Sequence, residues 1–256
     1  MPIGLLSPSS RLTLGEVEMG FAAIPAGDLL MGTDLAELGR IWSRFGWSLG
    51  LKEAFIDEAP MQRVVVIGFE LGVIEVTVAQ FQAFCRTTGK PMLKQQAWSS
   101  SPEHPVHNVT RDDALGFCEW ATGEMRRGGV RGTLRLQTES DWEYSATGGD
   151  TGLNGRRRKL LVWGDDLPRA SERLANGRIE GNDDGYESTS PAGQFQANGY
   201  GLRDMAGSLW EWCQDLYDKR YYVRSPVRKP SGPDDAIIAV GVLRGTRRTS
   251  ICPTFV

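Results

Sequence analysis

The feature that most restricts the fold is the segment 150–200, in which apolar residues follow no regular period. It is rich in Gly, Asn, Asp and Pro, which favour turns over helices and strands. Irregular segments of this length are uncommon in compact domains unless a ligand, a metal or a function holds them. The sequence therefore predicts a long irregular segment that is functional or is held by a ligand or a metal.

The composition is that of an ordinary globular protein, with 40% hydrophobic and 24% charged residues. The formal net charge is −3 and both signs are mixed along the chain, so no global attraction to nucleic acid or to an anionic membrane is expected. The sequence lacks a signal-peptide pattern at its start and an apolar run of spanning length. We expect one cytoplasmic, bacterial domain with no nucleic-acid and no membrane partner.

Three helices are predicted, because each begins with a capping box and, in the first two, apolar residues follow at helical spacing. The N-cap residues are Thr77, Thr110 and Thr138, and the residues that return the hydrogen bond are Gln80, Asp113 and Asp141. Strands are predicted in 16–34 and 61–77, where apolar and β-branched runs alternate with turn residues. The stretch 38–51 fits either a weak helix or an aromatic-rich loop, so the overall prediction is α+β.

The four cysteines are too far apart for a zinc knuckle or a redox CxxC motif; they are Cys85, Cys118, Cys213 and Cys252. Cys85 and Cys118 fall on apolar helical faces, where a buried thiol is the ordinary interpretation. Pro105 separates His104 from His107, so the two histidines share no helical face and are interpreted as loop or core residues.

Oxygen-bearing side chains cluster within the irregular segment, at Asn176, Asn182, Asp183, Asp184 and Glu187. Calcium takes side-chain and backbone oxygens from such loops. The EF-hand spacing is absent, and from composition alone a plain polar turn is favoured.

Glu211 lies between Trp210 and Trp212. A carboxylate buried by such neighbours must be paired or must coordinate a cation. It could cap a helix, pair with an arginine or complete a metal site.

Two motifs carry a resemblance to a known family: TESDWEY at 138–144 and NGYGLRDMAGSLWEW at 198–212. With them the chain resembles the formylglycine-generating enzymes, or sulfatase-modifying factors, from about residue 20 to residue 245. The resemblance implies an α+β variant of the C-type lectin fold with bound calcium. Enzymes of the family oxidise a cysteine of sulfatases to formylglycine, with a copper ion held by two cysteines.

The resemblance also implies two structural calcium sites. The first would use the side chains of Asn176 and Asp184 and the carbonyl oxygens of Gly177 and Tyr186. The second would use the Glu211 side chain and the carbonyl oxygens of Gly207 and Leu209. Ser208 stands where the family usually has asparagine, which we expect to weaken the second site.

The chain departs from the family pattern at three further places. Gln137 replaces a proline and Arg111 replaces a tryptophan. After Gly245 the family continues into two catalytic cysteines five residues apart, whereas here Cys252 is two positions off the first and has no partner. The catalytic residues are therefore unknown, with Cys252 a weak candidate, and copper, although used in the family, is not supported by this chain.

The tail 246–256 does not match the family, whose C-terminal strands we expect to be missing. We interpret the tail as the product of a frameshift or truncation. The main functional hypothesis is a formylglycine-generating-enzyme-like protein, catalytically incomplete as written, with a sulfatase-type protein or peptide as partner. The alternatives are a non-catalytic ligand-binding lectin-like domain and an iron-dependent oxidative tailoring enzyme.

Overall fold

The computed structural model describes residues 10–45, 56–99, 101–156, 158–159, 161–165, 174–177, 184–234, 240–244 and 253–254. The strands are β1 (Ser10–Leu14), β2 (Val17–Ile24), β3 (Gly27–Met31), β4 (Gln62–Val66), β5 (Phe69–Gly72), β6 (Trp210–Leu216), β7 (Gly241–Arg244) and β8 (Pro253–Thr254). The helices are α1 (Leu35–Phe45), α2 (Val78–Thr88), α3 (Arg111–Arg127), α4 (Glu139–Ala146) and α5 (Tyr221–Arg224). Short 3-10 turns lie at Ile56–Glu58 and Ala97–Ser99.

The strands form three small sheets. The first has the order β1-β2-β5 and the second pairs β3 with β4, all antiparallel. In the third, β6 lies between β7, which is antiparallel to it, and β8, which is parallel. The strands predicted in 16–34 and 61–77 are confirmed.

The three predicted capping boxes are confirmed at Thr77, Thr110 and Thr138. In each, the threonine hydroxyl accepts from the third helical amide and that residue's side chain accepts from the threonine amide. Gly89 ends α2 in the left-handed conformation at φ 72°. Part of the ambiguous stretch 38–51 belongs to α1, and 46–51 lies outside the described residues.

Two apolar clusters form the core. The first packs the sheet β1-β2 against α2 and α3, where Phe81 meets the edge of Phe84 at a ring-centroid distance of 5.3 Å. The second surrounds β3, β4 and α4 and includes Leu29, Val64 and Cys213. Helix α4 contacts β3, β4, β6 and β7, so it joins the second and third sheets.

The described parts of 150–200 contain no helix and no extended strand, as expected. One close approach of the backbone to this segment, from the turn before β6, requires glycine. Gly207 has φ +90°, and a Cβ placed on it would lie 2.0 Å from the carbonyl oxygen of Asn176. No described helix is both long and apolar enough to cross a bilayer.

Candidate functional site

The Glu211 side chain is buried, with 3% of its surface exposed. Side chains alternate along β6, so the carboxylate points to one face of the sheet while the neighbouring indoles point to the other. Its Oε2 atom accepts a hydrogen bond of 2.8 Å from Gln137 Nε2 and one of 3.1 Å from Trp142 Nε1. Burial raises the pKa of Glu211 to about 7, against the opposing effect of these two donors.

Two more buried carboxylates, those of Glu75 and Asp204, lie in the same region. Burial, followed by the charges of Asp204 and Glu211, holds the pKa of Glu75 well above its ordinary value. Asp204 accepts from the backbone amides of Gly193 and Phe195, and burial still raises its pKa. Glu75 Oε1 is buried and meets no hydrogen-bond donor within the described part of the chain. These interacting carboxylates favour bound protons or a cation.

Asn176 and Asp184 come together, as the resemblance implied. Asn176 is fully buried, and its Nδ2 donates to Asp184 Oδ2 at 3.3 Å. The amide of Gly177 donates to Asp184 Oδ2 at 2.7 Å, and the amide of Tyr186 donates to Oδ1 at 2.9 Å. Asn182 and Asp183 lie outside the described residues.

The backbone of this pair lies directly against the turn that precedes Glu211. Asn176 forms a parallel bridge with Gly207, and the Ser208 amide donates to the Asn176 carbonyl oxygen at 2.8 Å. Asn176 Oδ1 is a buried acceptor to which no described group donates. An orphaned amide oxygen beside a buried carboxylate fits an oxygen-ligated cation such as calcium.

Among the described residues, no group of three or more histidine, cysteine, aspartate or glutamate side chains lies close enough together to hold a metal ion. A cation at Asn176 or Glu211 would therefore depend on amide and carbonyl oxygens as well. That ligand set suits a hard cation and not a soft one.

The described thiols do not fit a copper site. Cys85, Cys118 and Cys213 are buried and free. Burial raises the pKa of Cys118 to about 12 and that of Cys213 well above its ordinary value, so both stay protonated at neutral pH. Cys252, the candidate named from the sequence, lies outside the described residues.

Arg244 forms an ion-pair cluster that sequence reasoning missed. Its guanidinium lies 3.1 Å from Glu58, 3.3 Å from Glu139 and 3.0 Å from Glu143, and its centre is 5.1 Å from the Trp142 ring centroid. Burial raises the pKa of Glu139 to about 7. This cluster ties β7 to α4 beneath Trp142, whose indole holds Glu211.

Two departures from the family pattern lie beside β6. Arg111 donates a hydrogen bond to the Gln214 carbonyl oxygen. The Cδ atom of Arg111 and the Trp212 ring also lie so close to Gly241 that both would be within 3 Å of a Cβ placed there. The Gln137 side chain donates a hydrogen bond to Glu211. Its backbone carbonyl oxygen accepts one from the Gln214 amide at 2.7 Å. Because a proline has no side-chain donor, the first of these Gln137 bonds is a property of this chain.

Comparison with known proteins gives a consistent assignment. Residues 14–253 match the family described as sulfatase-modifying factor enzyme 1-like domain. The chain is 39% identical over 150 residues to the formylglycine-generating enzyme of Streptomyces coelicolor, covering 56% of this chain and 42% of that enzyme. It is 28% identical over 281 residues to the Mus musculus enzyme, covering 90% and 66%. It thus spans less than two thirds of the length of either enzyme.

A further similar protein is the inactive C-alpha-formylglycine-generating enzyme 2 of Mus musculus, with 27% identity over 81% of this chain and 72% of that protein. Two solved structures share the fold. PvdO from Pseudomonas aeruginosa superposes with a TM-score of 0.63 at 24% identity, covering 90% of this chain and 82% of PvdO. Treponema denticola variable protein 1 gives 0.63 at 19% identity, covering 95% and 90%. The chain belongs to the sulfatase-modifying factor family, with the α+β fold of the formylglycine-generating enzyme type.

Proposed function

We propose that this protein is a formylglycine-generating-enzyme-like, calcium-stabilised domain that recognises a sulfatase-type protein or peptide without oxidising it. The observation that carries the proposal is the state of the three described thiols. They are buried, they lie on different elements, and Cys118 and Cys213 are protonated at neutral pH. Copper(I) binding needs accessible thiolates, so these thiols do not supply the redox site used by the active enzymes.

Calcium is the metal that the remaining residues suit. The first site would be formed by Asn176 Oδ1 and the Asp184 carboxylate, with the carbonyl oxygens of Gly177 and Tyr186. The second would be formed by the Glu211 carboxylate, with the carbonyl oxygens of Gly207 and Leu209. The orphaned Asn176 Oδ1 and the mutually repelling buried carboxylates support this assignment. Calcium would compensate the buried charge and fix the irregular segment to the turn before β6.

The functional proposal is tested with the full chain and a synthetic peptide that spans the target cysteine of a sulfatase. Binding is measured by fluorescence anisotropy of the labelled peptide, and conversion of cysteine to aldehyde by mass spectrometry after copper(I) loading. The Streptomyces coelicolor enzyme is the positive control. We expect saturable binding without conversion. Aldehyde formation that disappears in Cys252→Ser would refute the absence of oxidation, and absence of binding would refute recognition.

The calcium proposal has its own test, thermal unfolding of chelator-treated protein with and without added calcium. At a hundredfold excess over the dissociation constant, calcium should stabilise the fold by about 2.7 kcal/mol. Asp184→Asn should lose much of this gain. Asp234→Asn is the matched control, because Asp234 is exposed and distant in sequence from either proposed site. An equal calcium response in Asp184→Asn would exclude the first site.

The ligand-binding alternative is favoured by one specific observation. A cleft of 280 Å³ lies next to Gln137, just below the size at which small-molecule sites begin. Ligand binding in this cleft is compatible with a calcium-stabilised fold and needs no redox metal.

A further inference from the structure

A shallow concave surface lies where α3 ends and the chain turns towards α4. Its volume is 420 Å³, and it is lined by Arg126 and by residues 129–133. Two of these described residues are arginines and none is acidic, whereas the chain as a whole has a formal net charge of −3. The local charge is therefore opposite in sign to that of the protein, and this surface attracts an anionic group.

Two arginines on this surface have free guanidinium groups. Arg126 and Arg131 are exposed, and neither side chain forms an ion pair or a hydrogen bond with another described residue. The neighbouring Arg127, by contrast, is already paired with Glu124 at 2.7 Å. A guanidinium presents a planar set of donors that matches a carboxylate in two-point geometry. Each free arginine can therefore receive a carboxylate without breaking an existing contact.

The backbone of the same turn adds free donors. The amides of residues 128–130 donate to carbonyl oxygens in the last turn of α3 at 2.9–3.1 Å, and the Leu134 amide donates to Thr122 Oγ1 at 2.9 Å. Between them, the amides of residues 131–133 donate to no group in the described part of the chain. These three residues are exposed. Consecutive unpaired amides supplement the arginine side chains as donors to an anion.

The side chains of this surface suit a protein partner better than a nucleic acid. Val130 is 46% exposed and lines the same surface as the two free arginines. An apolar side chain of a partner would cover it and remove apolar area from water, whereas phosphate groups offer no apolar contact. Every cation from 126 to 135 is an arginine, the residue type that is enriched in protein interfaces, in which lysine is depleted. The negative net charge of the chain also opposes a polyanion at long range.

We propose that the surface formed by residues 126–133 docks an acidic segment of a partner protein, in which carboxylates flank an apolar side chain. The carboxylates bind Arg126 and Arg131, and acceptor oxygens of the segment bind the free amides of residues 131–133. The apolar side chain covers Val130. This contact uses none of the residues proposed to bind calcium, and it does not rest on the recognition of a sulfatase-type peptide.

NMR titration of the ¹⁵N-labelled full chain tests the proposal. The probe is acetyl-Gly-Glu-Leu-Glu-Gly-amide, which has two carboxylates around one apolar side chain. Its matched analogue, acetyl-Gly-Gln-Leu-Gln-Gly-amide, has the same size but no charge. We expect the probe to shift the amide resonances of residues 131–133 and to bind about fivefold more tightly than the analogue, as two exposed ion pairs imply. Equal affinity for the two peptides would refute the role of the arginines.

Two double variants locate the contact. Arg126→Ala/Arg131→Ala should bind the probe about fivefold more weakly than the unmodified chain and lose the preference for the charged peptide. Arg40→Ala/Arg86→Ala is the matched control, because it removes the same charge from exposed positions on α1 and α2, and it should keep the preference.

Three results would overturn the proposal. The first is an unchanged preference in a folded Arg126→Ala/Arg131→Ala protein. The second is the absence of shifts at residues 131–133 with millimolar probe. The third is tighter binding of a thymidine oligonucleotide than of the probe at residues 126–133, which would assign this surface to nucleic acid.

Discussion

The Gln137 side chain donates to the Glu211 carboxylate at 2.8 Å across 74 residues of sequence. This bond joins the connection before α4 to the strand β6. With the Trp142 indole at 3.1 Å it provides two neutral donors to a carboxylate that has no described cationic partner. Neutral donors compensate a buried charge only in part, which is why the pKa of Glu211 remains raised, at about 7.

Trp142→Phe should destabilise the protein, because it deletes the indole donor to Glu211 and reduces the stacking surface beneath Arg244. We expect a loss of roughly 1–3 kcal/mol in the free energy of unfolding by urea titration. Trp120→Phe is the matched control. Trp120 is also buried, but its Nε1 has no acceptor among the described residues, so its loss should cost clearly less. Equal losses would show that the indole bond contributes nothing.

The calcium-free protein should become less stable as the pH rises from about 5 to about 7.5. The folded-state pKa values of Glu211 and Glu139 are both about 7, above the ordinary value of 4.5. Between these values the folded state holds more protons than the unfolded state, so the free energy of unfolding falls with increasing pH. The expected change is on the order of 1–3 kcal/mol.

Urea titrations in chelator at several pH values measure this dependence, and Glu211→Gln should flatten it. Calcium should reduce it as well, because a cation stabilises the ionised carboxylate. A stability that increases with pH over this range would contradict the burial of uncompensated carboxylates.

Gly207→Ala should destabilise the protein strongly. The new Cβ would lie 2.0 Å from the Asn176 carbonyl oxygen, and the residue holds φ +90°. The bridge between the irregular segment and the turn before β6 cannot form without movement of one backbone, so we expect a loss above about 2 kcal/mol in thermal or urea unfolding.

The control for that substitution is Gly15→Ala. Gly15 also has a positive φ, +62°, but nothing lies within 4 Å of its added Cβ. It isolates the conformational cost, about 1 kcal/mol. Similar losses in the two variants would show that the approach to Asn176 is not a tight contact.

Cys85, Cys118 and Cys213 should resist a thiol reagent such as DTNB in the native protein at pH 8 and react fully in denaturant. The reason is their burial, together with the raised pKa values of their thiols. The assay is run on Cys252→Ser so that only these three thiols report. Fast reaction of any of them would remove the main support for the proposed absence of oxidation.

Local features of the fold could be predicted from the sequence alone. The capping boxes at Thr77, Thr110 and Thr138 join residues three apart, so they depend on nothing beyond one helical turn. Strands β2, β3, β4 and β5 follow from short apolar runs between turn residues, whereas β1 was not predicted. The family motifs at 138–144 and 198–212 were likewise readable as contiguous strings.

The charged interior was decided by the tertiary structure. Glu75 had a sequence signal, a carboxylate between Ile74 and Val76, but its proximity to Asp204 and Glu211 depends on chain segments far apart in sequence. Arg244 meets Glu143 across 101 residues, and Gln137 meets Glu211 across 74. Such contacts produce no periodic pattern in the sequence, because they depend on how the chain folds between the two partners. The sequence by itself determined the capped helices, four of the strands and the family, whereas the packing of α4 against β6 and β7 decided which buried side chains lie together.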